Sequence, residues 1–276
     1  MKITCVGLST VDIVYRVPRI PGADEKAQAT SVEVAAGGPA LNAAVTAAAL
    51  GARVTLVTAV GSHPLGELIR SDLDGYGVRL VDAAESSAPP PISAVTVEED
   101  SGRRTIVSRN AGDVAVRVPD DLDLDGVVLV DGHHPALADV AARGAGRLVV
   151  DAGHWRPVFA TILPHASVVA CSAGFRLPPS VGDLSTVAPD VAVTDGPHPV
   201  RWWSGAASGS LDVPTVAAVD TAGAGDAFHG ALAVALASGA SFTDALREAI
   251  RVAAIRVRHR GPRSWLSDPG LTSEQW

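Results

Sequence analysis

Short apolar runs, separated by glycine, proline and polar turns, set the pattern of the first third of the chain. Ile3 to Leu8, Val54 to Val60 and residues 79–83 are apolar runs of strand length. The alanine-rich stretch from Pro39 to Gly51 and the segment from Gly66 to Gly75 have the periodicity of helices. Proline favours a first helical turn and glycine a C-terminal cap. The pattern therefore predicts strands that alternate with helices.

A regular β-α-β pattern begins near residue 120. Helical spacing occurs near residues 135–143 and 156–162, between apolar runs of four or five residues. Because strands that alternate with helices form parallel sheets with right-handed crossovers, we expect one such sheet here. The predicted strands are Val127 to Val130, Leu148 to Asp151, Val168 to Cys171 and Val191 to Thr194.

Two segments have a different pattern, typical of strands that lie outside a central sheet. Residues 13–35 alternate apolar and polar side chains around prolines and a glycine. Ile92 to Val97 and Arg104 to Ser108 flank a polar turn and predict a hairpin. We expect these segments, at about 13–35 and 91–110, to form a small lid sheet inserted into a single α/β domain that spans residues 1–276.

The last third of the chain predicts a hairpin, a further strand and two helices. Val200 to Trp203 and Ser210 to Val213 predict the hairpin, and the apolar run from Val213 to Val219 predicts the strand. Helical spacing then covers residues 225–238 and about 242–259.

Seven residues between that strand and the first of these helices carry the clearest chemical signal. Asp220 to Asp226 have the sequence Asp-Thr-Ala-Gly-Ala-Gly-Asp. At the start of a helix the first backbone N–H groups lack intrahelical partners, and the helix dipole adds partial positive charge there. Small residues let an anion approach these amides, and Asp226 then supplies a carboxylate beside it. The segment therefore predicts a phosphate-binding turn with a base next to it.

Composition and charge exclude several classes of function. The chain has 47% hydrophobic and 19% charged residues, as expected for a folded protein, and its net charge is −8. Without a basic patch, a nucleic-acid partner is not expected. No apolar run is long enough to span a membrane, so we expect no membrane partner. Cys5 and Cys171 lie in apolar runs, which favours buried, reduced thiols and a cytoplasmic location.

The motifs resemble the signatures of the ribokinase (pfkB-type) carbohydrate kinases. Asp220 to Asp226 match the C-terminal signature of that family. Gly37-Gly38 with Asn42, followed by Leu50-Gly51-Ala52 and Val60-Gly61, resemble its N-terminal signature. The resemblance implies a ribokinase-like α/β fold, with a mostly parallel central sheet, helices on both faces and a small β-sheet lid. It also implies transfer of the γ-phosphoryl group of ATP to a hydroxyl, usually of a sugar.

The resemblance also implies roles for individual residues. Asp226 matches the general base. Asp12, Gly37, Gly38 and Asn42 match the residues that bind the sugar. Gly223, Ala224 and Gly225 match the anion hole over the transferring phosphate.

Three further residues are weaker candidates for contact with the substrate. Arg109 and Asn110 end a predicted lid strand, although both could equally occupy a surface turn. His133 follows a predicted strand, where the family often has a polar residue that contacts the substrate. An ordinary loop histidine is the alternative there.

Nucleotide binding is implied by three short segments. Thr194-Asp195-Gly196 resembles the family's nucleotide-binding loop, although Pro199 stands where a second glycine is common. Thr221, Gly223 and Gly225 would contact the phosphates. Gly261, in Arg260-Gly261-Pro262, lies in the segment that closes over adenine and, in many members, a monovalent cation.

Metal binding departs from the family pattern. Ser172 and Phe175 replace the Asn-x-x-Glu that organises magnesium in many relatives. No metal-ligand spacing occurs elsewhere, so we expect Mg²⁺ to be held mainly through the phosphates of ATP. Trp265 replaces a small polar residue near the cation segment. Whether the chain binds a monovalent cation is therefore left open.

Several functions are compatible with these motifs. A small free sugar, fructose- or ribose-like, is the leading acceptor. A nucleoside is less favoured, because Tyr15 is the one aromatic residue in the lid segments. A phosphosugar needs cations, and none occurs between Arg79 and Arg103, although Lys26, Arg104 or Arg109 could serve. A catalytically weak regulator that binds sugar or nucleotide is the alternative from another class, and analogy suggests a homodimer through the lid.

Overall fold

The computed structural model describes residues 1–111 and 114–271. Its strands are β1 (Lys2–Val6), β2 (Thr10–Val17), β3 (Ser31–Gly37), β4 (Arg53–Thr58), β5 (Arg79–Asp82), β6 (Ile92–Glu98), β7 (Arg104–Ser108), β8 (Val127–Val130), β9 (Arg147–Ala152), β10 (Val168–Ser172), β11 (Asp190–Asp195), β12 (His198–Ser204) and β13 (Ala207–Leu211). Its helices are α1 (Pro39–Ala49), α2 (Pro64–Gly75), α3 (Pro135–Gly144), α4 (Phe159–Ile162), α5 (Ala224–Ala237) and α6 (Phe242–Arg256).

Nine strands form the central sheet, in the order β13-β12-β11-β10-β9-β8-β1-β4-β5. The pairs from β11 to β5 are parallel, and β12 and β13 add an antiparallel hairpin at one edge. The predicted mostly parallel sheet is therefore confirmed.

Helices cover both faces of this sheet, and each face has its own apolar core. On one face, Ile3 and Leu56 pack with residues of α1, α2, α5 and α6. On the other, Val128 and Val150 pack with residues of α3 and α4. Among the described residues, no helix is both long enough and apolar enough to cross a membrane.

Both cysteines are buried free thiols, as predicted, one in each core. Burial raises the pKa of Cys5 and of Cys171 to about 12. A thiol with such a pKa stays protonated and unreactive at neutral pH, so both cysteines serve packing.

The lid is a separate four-stranded sheet with the order β3-β2-β6-β7. β2 pairs in parallel with β6, and the β2–β3 and β6–β7 pairs are antiparallel. The predicted small sheet is confirmed, but its first strand begins at Thr10 rather than near residue 13. Asp12 lies within the lid strand β2, since β1 ends at Val6 and β2 begins at Thr10.

A close contact between two helices brings the signature segments together. A Cβ atom on Gly230 of α5 would lie 2.5 Å from the carbonyl oxygen of Ala43 on α1. Only glycine allows this approach, which brings the first turns of α1 and α5 near each other. These turns carry Asn42 and Asp226.

The predicted strand before α5 is wrong. Residues 212–218 form no strand, and β13 already ends at Leu211. Pro214 has no N–H to donate to a sheet, which disfavours a strand at this position. The backbone N–H groups of Val219 and Asp220 both donate to the carbonyl of Val257, at 2.7 and 3.1 Å. This segment is therefore bonded to the residue that follows α6. The helix α6 ends at Arg256 rather than near residue 259.

Candidate active site

A cleft of about 500 Å³ lies between the lid and the first turns of α1 and α5. It is lined by residues from both signature segments, from the lid and from the loop after α6. Ten predicted site residues line it: Asp12, Gly37, Gly38, Asn42, Asn110, His133, Thr221, Gly223, Asp226 and Gly261.

The turn before α5 is held in shape by its own first residue. One carboxylate oxygen of Asp220 accepts a hydrogen bond from the N–H of Ala222 at 3.0 Å. Gly223, the N-cap of α5, has a φ of 71°, a left-handed conformation that favours glycine. The start of α5 therefore offers its unpaired N–H groups and its dipole beside the cleft.

Asp226 stands in the first turn of α5, and Asn42 binds it directly. The Nδ2 of Asn42 donates to Oδ2 of Asp226 at 2.8 Å. Burial raises the pKa of Asp226, while the hydrogen bond from Asn42 opposes that rise by stabilising the carboxylate. A carboxylate with a raised pKa at the edge of an anion site is suited to accept a proton.

Asp12 enters the cleft from β2, where Gly37 accommodates its carboxylate and Gly38 lets the backbone approach Leu8. A Cβ atom on Gly37 would lie 2.1 Å from Oδ2 of Asp12, and one on Gly38 would lie 2.5 Å from the carbonyl oxygen of Leu8. Gly38 also has a φ of 98°. The hydroxyl of Thr10 donates to Oδ1 of Asp12 at 2.7 Å. Burial raises the pKa of Asp12, and Thr10 partly opposes this.

Sequence reasoning named Arg104 but missed the other three arginines that line the cleft, Arg16, Arg256 and Arg263. Arg16, on β2, pairs with Asp220 at 3.2 Å, and Gly261 also donates to that carboxylate, at 3.1 Å. Arg256 approaches the same oxygen at 3.8 Å. With 20 arginines in the chain, these three did not stand out, and only the folded arrangement distinguishes them.

Arg263 is the most connected of these arginines. Its Nη1 donates to Oδ1 of Asn42 at 3.0 Å, and its Nη2 donates to Oδ2 of Asp72 at 2.7 Å. Arg263 thus lies two hydrogen bonds away from Asp226.

A buried pair lies beneath Asp226. Nε2 of His229 is 3.2 Å from the carbonyl oxygen of Ala170 and must donate to it. Nδ1 of the neutral ring is then an acceptor, and it faces Oδ2 of Asp151 at 3.3 Å. Burial raises the pKa of Asp151 well above its usual value and lowers the pKa of His229.

His133 lies at the edge of the cleft beside a buried carboxylate. Oδ1 of Asp131 accepts the backbone N–H of His133 at 2.9 Å and lies 3.1 Å from its Nδ1. Burial acts to raise the pKa of Asp131, but the contacts with His133 and with the backbone lower it on balance. Nε2 of His133 also contacts Arg156. His133 is thereby fixed in orientation.

Five predicted site residues do not line this cleft. Ala224 and Gly225 follow Gly223 in the first turn of α5. Arg109 is exposed after β7, and Thr194 and Gly196 lie at the end of β11 and in the turn to β12. Contacts of these five with substrate or nucleotide remain predictions.

Comparison with known proteins identifies the family. The chain matches the pfkB family of carbohydrate kinases over residues 1–131 and 183–269. It is 27% identical over 279 residues to a ribokinase of Bacillus subtilis, covering 93% of this chain and 92% of that protein. It is 25% identical over 285 residues to ketohexokinase of Mus musculus, covering 91% and 94%. The structure of Arabidopsis thaliana ribokinase complexed with ribose and ATP superposes with a TM-score of 0.77 at 23% identity, over 99% of each chain.

Proposed function

Because this chain belongs to the pfkB family of carbohydrate kinases, we propose that it transfers the γ-phosphoryl group of ATP to a small free sugar, ribose- or fructose-like. One observation carries the proposal. Asp226, with its hydrogen bond from Asn42, and Asp12 line the same cleft. A carboxylate base and a hydroxyl-binding carboxylate are thus available to one substrate.

The residues of the cleft supply positioning and charge stabilisation, which dominate phosphoryl transfer. Asp12 and the second side-chain N–H of Asn42 would bind sugar hydroxyls and orient the acceptor. Asp226 would accept the proton of the attacking hydroxyl. The amides of Gly223, Ala224 and Gly225, together with the dipole of α5, would stabilise negative charge on the transferred group.

We propose that groups of this chain bind ATP, whereas Mg²⁺ is held mainly by the phosphates of ATP. Thr221 and the start of α5 suit phosphate oxygens, and we propose that Thr194, Gly196 and Gly261 contact the rest of the nucleotide. In the described part of the chain, no three His, Cys, Asp or Glu side chains cluster as a metal site. We therefore propose that Mg²⁺ binds together with ATP, on its phosphates, where it would neutralise their negative charge.

A monovalent cation fits the segment around Gly261 less well. The nearby carboxylate of Asp220 already has Arg16 at 3.2 Å and Arg256 at 3.8 Å. We propose that activity needs no monovalent cation at this carboxylate, because the two guanidinium groups already balance its charge.

A phosphosugar acceptor is the second candidate, and Arg104 favours it. This exposed arginine of β7 lines the cleft, and its Nη1 lies 3.4 Å from Oγ1 of Thr221. The other three arginines of the cleft contact carboxylates. A nucleoside is less favoured, since Tyr15 is not among the residues that line the cleft.

We also propose a homodimer through the outer face of the lid. Val32, Val34 and Val107 are 55, 48 and 71% exposed, and they alternate with residues that line the cleft. A second copy would cover this apolar face. Sedimentation of Val107→Lys tests the proposal: a monomer is expected, and an unchanged dimer would contradict it.

Coupled ADP release tests the kinase proposal across a panel of free sugars, sugar phosphates and nucleosides. We expect turnover with at least one free sugar, and a loss on the order of 10²–10⁴ in kcat for Asp226→Asn. Calorimetry with the same sugars separates a regulator from an enzyme. Tight sugar binding without turnover by the wild-type protein would contradict the proposal, as would full activity of Asp226→Asn.

A further inference from the structure

Arg263, in the loop after α6, binds residues of three elements that are distant from it in sequence: β3, α1 and α2. It binds Asp72 of α2 through Nε, at 3.1 Å, and through Nη2, at 2.7 Å. Nη2 also donates to the carbonyl oxygen of Ala36 in β3 at 3.1 Å. Nη1 donates to Oδ1 of Asn42 in α1 at 3.0 Å. The guanidinium is therefore held by a bidentate ion pair with Asp72 and by a hydrogen bond to a backbone carbonyl.

This arrangement decides which way the amide of Asn42 points. A guanidinium has only donors, so the group that faces Arg263 must be the amide oxygen. The NH₂ group must then face away, where the carboxylate of Asp226 accepts from it at 2.8 Å. Without Arg263, the oxygen of Asn42 loses its fixed partner, and the hydrogen bond to Asp226 alone holds the amide in this orientation.

We infer that Arg263 is a positioning residue for the reaction, acting on Asp226 through Asn42. This inference rests on the proposed role of Asp226 as the base. It goes beyond that role, because Arg263 lies in the loop after α6 and contacts Asn42 rather than Asp226. The loop after α6 is thereby coupled to the orientation of the base.

The charges around Asp226 indicate the direction of the expected effect. Burial raises the pKa of Asp226, and the hydrogen bond from Asn42 lowers it. If the amide rotates, that hydrogen bond is lost and the pKa rises further. The other charged or titratable groups that act on Asp226 come from five elements of the fold: His229 of α5, Asp12 of β2, Asp131 after β8, Asp151 of β9 and Arg256 of α6.

Arg263→Ala tests the inference in a sugar-saturated kinase assay. We expect kcat to fall about 10- to 100-fold, since a small misplacement of a reacting group can have an effect of this size. The sugar KM should change less than threefold. The acid limb of kcat should move to higher pH, because the base is ionised over a narrower range. Guanidinium ion at millimolar concentration should restore part of kcat.

Two further variants serve as partner and control. Asp72→Asn removes the carboxylate that anchors Arg263, and it should reproduce a weaker form of the same kcat loss and pH shift. Arg143→Ala removes another bidentate Arg–Asp pair, with Asp139, that is exposed on α3. It should leave kcat, KM and the pH profile unchanged. Thermal unfolding of each variant establishes that it is folded.

Side-chain amide spectra give a readout that does not depend on activity. The chain has only two asparagines and two glutamines, so a ¹⁵N spectrum contains four side-chain NH₂ pairs. We expect the Asn42 pair to shift in Arg263→Ala but not in Arg143→Ala. If Asp226→Asn is fully active, the proposed function fails, yet the Asn42 shift still tests the coupling.

Two results would overturn the inference. The first is an Arg263→Ala protein with an unshifted Asn42 pair and kcat within twofold of wild type. The second is a loss confined to KM for ATP, with an unchanged acid limb, which would assign Arg263 to closure over the nucleotide alone.

Discussion

The two walls of the cleft differ in how their polar groups are held. The floor comprises Asn42, Asp220–Asp226 and Arg263, and its side chains bind partners from distant elements. Asn42 contacts residues 184 and 221 positions away. In the lid (β2, β3, β6 and β7), Asp12 is held by Thr10 two residues away, and Val107 is 71% exposed.

This difference assigns separate tasks to the two walls. A floor whose groups are fixed before substrate arrives suits the chemical step, where orientation and preformed charge matter. The lid contacts the floor through Arg16 and Arg104, but Asp12 is held from within the lid and the outer face is exposed. Such a lid suits recognition and the exclusion of water. Changes in the floor should therefore act mainly on kcat, and changes in the lid mainly on KM.

The sharpest test on the lid side is Asp12→Ala. We expect KM for the sugar to rise roughly 10- to 100-fold, because a hydrogen bond to a charged group contributes about 1.5–3 kcal/mol. Steady-state kinetics with varied sugar measures this. A larger effect on kcat than on KM would break the division between the walls.

Gly37→Ala should produce a smaller effect by the same route. The new Cβ would lie 2.1 Å from Oδ2 of Asp12, so that carboxylate must move while the backbone stays in place. We expect KM for the sugar to rise about tenfold, since part of the charged hydrogen bond is lost. Gly146→Ala is the matched control, because a Cβ there meets no atom within 4 Å. Equal kinetics for the two variants would contradict the account.

Asp151→Asn should have the smallest effect, and on stability rather than turnover. Burial raises the pKa of Asp151 above the value of about 3.9 that an unfolded chain has. The folded state then binds the proton more tightly, so the wild-type protein loses stability as pH rises from the unfolded pKa through the folded pKa. Asparagine has no such loss.

Thermal unfolding at pH 5 and pH 8 measures this difference. The stability of the variant relative to the wild type should rise with pH, by about 1.4 kcal/mol for each pH unit between pH 5 and the folded pKa of Asp151. A stability difference that stays constant from pH 5 to pH 8, or a wild type that becomes relatively more stable, would mean that Asp151 is ionised in the fold.

The fold could be predicted largely from local pattern. Apolar runs and glycine turns located the parallel strands and the lid, because each is specified by residues near in sequence. The exception is Val213 to Val219, which has the composition of a strand. At its end, the backbone N–H of Val219 donates to the carbonyl of Val257, 38 positions later, instead of to a neighbouring strand. Such long-range partners leave no local signal.

The site was predictable where short motifs define it. Asp226, Asn42, Asp12 and the two glycines all line the cleft. Arg263 was not predictable, because its role depends on Asp72 and Asn42, which lie 191 and 221 positions away.

A crystal structure of the protein with an unreactive ATP analogue and its best sugar tests the central claim most directly. We predict a sugar hydroxyl within about 3.2 Å of the Asp226 carboxylate, the reach that a general base requires. Other hydroxyls of the same sugar should bind Asp12 and Asn42. A sugar that contacts neither Asp12 nor Asn42, with Asp226 remote from every hydroxyl, would contradict the account.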